Sequence, residues 1–498
     1  MTTATRVRAS RARVRHPGGL MTLFFTEMWE RFSYYGMRAL LILYLAEATT
    51  AANPGMGLAE APAGAIYGLY TGLVYLLGLP GGWVADQLWG QRKAVFVGGC
   101  IIAAGHFSMA VPNDFNFFLG LILIVIGTGL LKPNVSSVVA DLYPEGGARR
   151  DAGFSIFYMG INVGAMAGPI ICGQLGENWN WHWGFSAAGF GMVLGLIQFR
   201  LGYKRLGDAG ILRSDKTAEQ RAALGRRFFG GCGALAAALI GFGILVSRGV
   251  IPVTLTQIAG GLAVVIIIVV AVYFLYLMLL GGHTETERKK IVAIFWFALL
   301  AVVFWSGFEQ AGSSLNLFAE EFTDRTIGAW SYPASWLQSV NAFFIVCLAP
   351  VFGWLWVWLA NRNANPSTAV KFALGLLLLA AGFFVIAWGA ANATADSPVS
   401  ASWLIVMYFL HTVGELALSP VGLSAVTKLA PPSRISQMMG LWFVATSLGN
   451  VVAGLVAGRL EDLAPSPLFF TVAQIIGFAG IIALAASPLI KRLMGDVK

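Results

Sequence analysis

Fourteen apolar stretches of about twenty residues or more, each bounded by Pro, Gly or charge, recur along this chain of 498 residues. A helix of that length crosses the roughly 30 Å hydrocarbon layer of a bilayer. The stretches centre near residues 33, 75, 103, 128, 163, 193, 238, 268, 306, 346, 380, 414, 447 and 479. A segment in lipid must satisfy its own backbone N–H and C=O groups, so the series predicts an all-α polytopic membrane protein. With 57% of residues hydrophobic and 11% charged, nothing is left over for a soluble domain.

A net charge of +9 raises nucleic acid as a partner, but the placement of the basic residues argues against it. Among 33 Lys and Arg, only Arg248, Arg325 and Arg459 fall in loops on one side, and only Arg31, Arg38 and Lys132 fall within spans. The others gather in the N-terminal tail, in loops on the other side, or at the helix ends beside them, which is the positive-inside pattern. Both termini are therefore expected to be cytoplasmic, in a multi-pass protein of the inner (plasma) membrane. The arginines of residues 6–15 resemble a signal-peptide n-region. The apolar stretch after them is too long for one and carries Glu-Met-Trp-Glu-Arg where a cleavage site would be, so a retained basic tail is expected. Cys100, Cys172, Cys232 and Cys347 are scattered singly, without CxxC or His spacing. They read as small core residues, with neither disulfide nor metal site expected.

The spans near 238 and 268 enter and leave on the same side, between two basic stretches. Removing this hairpin leaves six spans plus six, the shape of a two-bundle transporter with its site at midplane between related halves. The expected organisation is a basic tail over 1–18, a first six-helix bundle over 19–205, linkers and the inserted hairpin over 206–290, a second six-helix bundle over 291–492, and a short tail over 493–498. The hairpin carries no charge at depth, so packing or assembly is its expected role.

Within the first span lies Glu27-Met28-Trp29-Glu30-Arg31-Phe32-Ser33-Tyr34-Tyr35-Gly36, followed by Arg38. A charge at the bilayer centre costs about 3 kcal/mol on insertion scales, and such residues face a bundle interior or a water-filled cavity. Spacings of three and four stack Glu27, Glu30 or Arg31, Tyr34 and Arg38 on one helix face, a polar stripe roughly 16 Å long. A buried ion pair that only ties helices together is the bland alternative. Four charges and two tyrosines exceed what fixing one helix needs.

Between the second and third spans, Gly82-Trp83-Val84-Ala85-Asp86-Gln87-Leu88-Trp89-Gly90-Gln91-Arg92-Lys93 resembles the loop signature of the major facilitator superfamily, with Gly82 expected at a close helix approach and Gly90 at the turn. Further motifs are Leu131-Lys132-Pro133-Asn134, Phe157-Tyr158-Met159-Gly160-Ile161-Asn162-Val163-Gly164, Phe304-Trp305-Ser306-Gly307-Phe308-Glu309-Gln310, Gly414-Glu415-Leu416 and Gly440-Leu441-Trp442-Phe443. Together with the run at Glu27 to Gly36, these make the chain resemble the proton-dependent oligopeptide transporter (POT/PTR) family of that superfamily. The likeness is to the prokaryotic type with fourteen transmembrane helices, and it spans nearly the whole length.

The residues have a chemistry of their own. A dipeptide is a zwitterion, so a site for it within a membrane needs a cation for the carboxylate, an anion for the ammonium, and amide or hydroxyl partners between. Arg31 and Lys132 are candidate cations, and Glu309 and Glu415 candidate anions. Asn162 and Asn341 can each donate and accept. Tyr34, Tyr35, Tyr70, Trp305 and Trp442 can wall side-chain pockets. The resemblance implies more: Arg31, Lys132, Tyr34, Tyr70 and Asn162 on the carboxylate side, and Asn341 with Glu415 at the amino end. It implies Arg38–Glu309 and Lys132–Glu415 as bridges between bundles that form in one facing state and break in another, and Glu27 and Glu30 as the proton-responsive pair beside Arg31. Several family members place a second acid directly before the position of Glu309, where this chain has Phe308.

Proton coupling follows from competition for a cation. When a substrate carboxylate takes the guanidinium, a carboxylate left unpaired at low dielectric favours its neutral form. Proton and substrate then assist each other's binding. The expected function is a proton-coupled symporter importing di- and tripeptides by alternating access, with the proton as coupling ion and no cofactor, and the bilayer as its surroundings. No obligate protein partner is evident. The alternatives are a symporter of another solute, such as nitrate or a peptide-like compound, and a membrane sensor or intramembrane enzyme. The last pair lacks any HExxH, GxSxG or phosphate-loop motif at a plausible depth.

Overall fold

The computed structural model describes residues 16–145, 147–431 and 434–495. The expected tails lie largely outside them. The long helices are α1 (Gly18–Ala46), α2 (Glu60–Trp89), α3 (Gln91–Met109), α4 (Asp114–Asp141), α5 (Gly147–Asn178), α6 (Trp181–Leu201), α7 (Ala218–Ser247), α8 (Leu255–Leu279), α9 (Glu285–Phe308), α10 (Ser339–Asn361), α11 (Thr368–Gly389), α12 (Ser402–Leu429), α13 (Ile435–Ala457) and α14 (Pro465–Met494). Each expected centre falls within one of them. Among the described residues, twelve helices are long and apolar enough to cross a membrane. The other two are α1, which carries Glu27, Glu30, Arg31 and Arg38, and α3, the shortest of the set.

Local sequence sets the helix boundaries. Thr217 with Gln220, Thr254 with Gln257 and Thr284 with Glu287 form reciprocal capping boxes that start α7, α8 and α9. Asn113 and Asn180 cap α4 and α6 with their side-chain oxygens. Gly90, at φ +78°, makes the turn into α3, as expected of it. The neighbouring expectation is corrected: Gly82 faces open space. The close approach belongs to Gly81, where a Cβ would lie 2.0 Å from the carbonyl oxygen of Gly129 on α4.

Packing follows two groups. α1 lies against α5 and α6, and α3 against α4 and α6; α11 lies against α12 and α14, and α9 against α13 and α14. Two seams join the groups. α2 meets α13 through Gly64, Gly68 and Gly72 against Gly454, Val451 and Ser447. At the other seam, Ser339 donates to the carbonyl of Met166 at 2.8 Å, and the Trp336 indole to that of Ile170 at 2.9 Å. The second seam sits toward the loops 47–59 and 309–338. Farther down, α10 has no buried residue after Ile345, and α5 exposes its first turns. The two groups are thus closed together near one face, and α5 and α10 part toward the face bearing the basic loops.

Short strands β1 (Thr323–Asp324), β2 (Thr326–Ile327), β3 (Trp330–Ser331) and β4 (Val399–Ser400) decorate the closed face; β1 pairs with β4 and β2 with β3. α7 has no buried residue, and α8 buries only Ala259, Ala263, Ile266 and Leu277, against α2 and α13. The hairpin is tied to the end of α2 by Trp83 stacked on Phe228 and Trp89 on Phe229. The cysteine reading needs revision: Cys172 is buried, but Cys100, Cys232 and Cys347 are exposed. They sit on outward faces, where a small, weakly polar side chain is tolerated against lipid.

Candidate functional site

α1 is buried along almost its whole length. Leu23, Phe32, Leu40 and Leu43 pack on neighbouring helices, and the charged stripe points inward. Its position is set by backbone contact. A Cβ on Gly164 of α5 would sit 2.2 Å from the carbonyl oxygen of Met28 and 2.9 Å from the Cβ of Arg31, so only glycine lets α5 approach this closely.

Arg31 lies between two acids of its own helix, its Nε 3.0 Å from Glu27 and 2.5 Å from Glu30, all three buried. The contacts are ionic, without hydrogen-bond alignment. Nε and Nη2 of Arg31, Oε2 of Glu27 and both Glu30 oxygens have no aligned hydrogen-bond partner among the described residues. Seven residues on, Arg38 Nη1 donates to Glu309 Oε2 at 2.6 Å, joining α1 to the end of α9. Glu309 stands where α9 stops and a 3-10 turn, Glu309–Gly312, begins; its carboxylate is delivered by a broken helix.

Lys132 on α4 places its ammonium 3.5 Å from the centre of the Tyr75 ring and 5.8 Å from that of Tyr34. Arg31, Glu30, Glu27 and Glu309 lie within its electrostatic reach. Across the gap, Asn341 on α10 donates to Thr412 Oγ1 at 2.9 Å and to Glu415 Oε2 at 3.3 Å. Asn162 donates to the Tyr158 carbonyl one turn earlier, at 2.9 Å. Tyr35 supports the Arg38 guanidinium, 5.2 Å from its ring centre, and Tyr34 that of Arg31 at 5.3 Å. The hydroxyls of Tyr34 and Tyr70 and the indole N–H of Trp305 are buried without hydrogen-bond partners among the described residues. Trp442 stands apart, its ring edge on Gly422 and 6.3 Å from Phe372, in the packing of α11, α12 and α13.

Of the two expected bridges, Arg38–Glu309 is formed. Lys132 and Glu415 are not paired among the described residues: the lysine rests on Tyr75 and the glutamate on Asn341. This fits the parting of the two groups toward the basic face. Tyr158, 41% exposed yet within electrostatic reach of Tyr35 and Glu415, marks the open space between them.

Four residues of the cluster were not singled out from the sequence: Tyr67, Tyr75, Tyr158 and Thr412. Tyr75 reads as core on its own. The signal lies in spacing, since Tyr67, Thr71 and Tyr75 recur every four residues and share one face of α2 with Tyr70 beside it. Tyr67 and Arg38 together enclose Gly312, where a Cβ would meet the phenol oxygen at 2.1 Å and Nε at 3.0 Å.

A polytopic helical bundle in two groups, with ions of both signs gathered between them, defines a membrane transporter by its architecture. The chain belongs to the POT family, whose description (PTR2: POT family) matches residues 92–475. It is 42% identical over 514 residues to the peptide transporter YePEPT of Yersinia enterocolitica, covering 100% of this chain and 99% of that one. It is 40% identical over 490 residues to a di-/tripeptide transporter of Lactococcus lactis subsp. cremoris, covering 97% of each. A crystal structure of the peptide transporter POT in complex with sulfate superposes with a TM-score of 0.87 at 40% identity, over 97% of each chain.

Proposed function

We propose that this POT family protein is a proton-coupled symporter of di- and tripeptides, and that residues 19–205 and 291–492 are the two bodies that rock about the site. Both termini are then cytoplasmic and the parted face is the inner one. One observation carries the reading: between the bodies stand three cations, Arg31, Arg38 and Lys132, and four carboxylates, Glu27, Glu30, Glu309 and Glu415. With every group ionised the site is one positive charge short; a zwitterionic peptide brings no net charge, so a proton makes up the difference. Once Glu27 or Glu30 is displaced, the Arg31 guanidinium offers the fork from which a carboxylate accepts two hydrogen bonds. Glu415, held by a neutral amide alone, is free to take the ammonium. The relatives named for peptide transport support the same substrate class.

Uptake of labelled dialanine into liposomes holding the purified protein tests this. Accumulation is expected when the outside is made acidic and absent without the gradient. Accumulation of nitrate in place of peptide would overturn the substrate class. Glu415→Ala is expected to weaken binding of peptides with a free amino terminus about tenfold, the value of one charge-assisted contact. N-acetylated peptides are expected to bind the variant and the natural protein equally, read by competition.

A further inference from the structure

The inserted hairpin borders an apolar groove apart from the charged cluster. Where α8 diverges from α9 and α13 it leaves a groove of about 270 Å³, lined by apolar side chains that include Val270, Phe274, Phe295, Val302, Leu441 and Leu448. Two of its walls, Ile267 and Leu299, are 53% and 57% exposed, so the groove is open sideways to the hydrocarbon. An enclosed apolar cavity of about 150 Å³ stays dry and holds a benzene ring, so a groove of this size and lining selects a hydrocarbon chain over water.

Beyond its lining residues Phe274 and Leu441, about one turn toward the basic face, polar side chains follow. Tyr273 on α8 donates to Gln437 Oε1 on α13 at 2.7 Å, and Arg434, just before α13, donates to the same oxygen at 2.9 Å. The Arg434 guanidinium lies 5.7 Å from the Tyr276 ring centre, on the hairpin side of the cluster. No carboxylate pairs with Arg434 among the described residues. An apolar slot with an arginine without a counter-ion beyond its end, among the basic loop residues, is complementary to a lipid that carries net negative charge. We propose that the groove binds one acyl chain of an anionic phospholipid whose phosphate is held by Arg434. The hairpin is then a lipid-binding module. The lipid fills the gap beside α13, the helix whose Gly454 meets α2 at the seam between the two groups.

Native mass spectrometry of the delipidated full-length protein, titrated with dioleoyl-phosphatidylglycerol or dioleoyl-phosphatidylcholine, tests this without any transport readout. The first phosphatidylglycerol is expected to bind about fivefold more tightly than phosphatidylcholine, the worth of one arginine near the headgroups. Arg434→Gln removes that preference and leaves phosphatidylcholine unchanged. Leu299→Trp, at an outward position that tolerates bulk, obstructs the slot and weakens the first lipid of either kind. Equal binding of the two lipids by the natural protein would overturn the proposal. So would phosphatidylglycerol binding that neither variant alters, or a dimer of the chain that forms as lipid is removed and excludes it when it returns.

Discussion

Glu27→Gln and Glu30→Gln are each expected to abolish peptide accumulation driven by a pH gradient while peptide exchange across the same membrane continues. Both acids press on one guanidinium, at 3.0 and 2.5 Å, and neither has a second cation in contact. A substrate carboxylate that claims Arg31 must displace at least one of them, and the displaced acid is the group a proton neutralises. Glutamine keeps the shape of the side chain but is neutral at every pH, so substrate can enter with no proton to accompany it. Couplings between bound species run to about 1–3 kcal/mol, or about 5- to 150-fold, and that whole factor is expected to vanish from the ratio of gradient-driven uptake to counterflow. Both activities are measured on the same liposomes. Equal loss of the two would assign these acids to peptide binding or to folding.

The charged stripe was legible because lipid makes charge conspicuous: four ionisable groups in one apolar run have no inexpensive alternative to a shared interior. The helices were legible for the same reason, since a span must close its own hydrogen bonds. The insertion of the hairpin could be read from the basic stretches at both its ends. Partners across the gap were harder to read. Nothing in the spacing of Lys132 says that it rests on Tyr75, because a tyrosine in an apolar helix looks the same whether it faces a cation or a leucine. The break at Glu309 was written only faintly, in Gly307 and Gly312 on either side. Gly81 and Gly82 are adjacent and chemically identical, and only the rotation of α2 decides which of them meets α4. The seams between the two groups use small residues and backbone carbonyls, which carry no charge pattern at all.

One contact at the closed face is an exception, and its removal should have the second large effect. Glu177, at the end of α5, reaches across to the segment before α10 and accepts from the backbone N–H of Ala334 at 2.7 Å and of Ser335 at 3.1 Å. These are the free N–H groups that open the 3-10 turn Ala334–Gln338, and Arg325 stands 4.0 Å from the same carboxylate. Asn53, beside them, donates to the Gly176 carbonyl at 2.7 Å and fixes the end of α5 in place. Alternating access requires this joint to open, so its strength sets how much of the protein rests in the form seen here. Hydrogen bonds to a charged group contribute about 1.5–3 kcal/mol each. Losing two of them in Glu177→Ala, about 3 kcal/mol or more, is expected to favour the form parted at this face by at least about a hundredfold. Spin labels at Trp179→Cys and Trp330→Cys, both exposed and on opposite sides of the joint, would report it as a shift from a short to a long distance in a cysteine-free background. Glu177→Gln keeps an acceptor but not the charge and should fall between the two. An unchanged distance distribution in Glu177→Ala would show that the remaining contacts, the glycine seam of α2 and α13 together with the Ser339 and Trp336 hydrogen bonds, hold this face shut without Glu177.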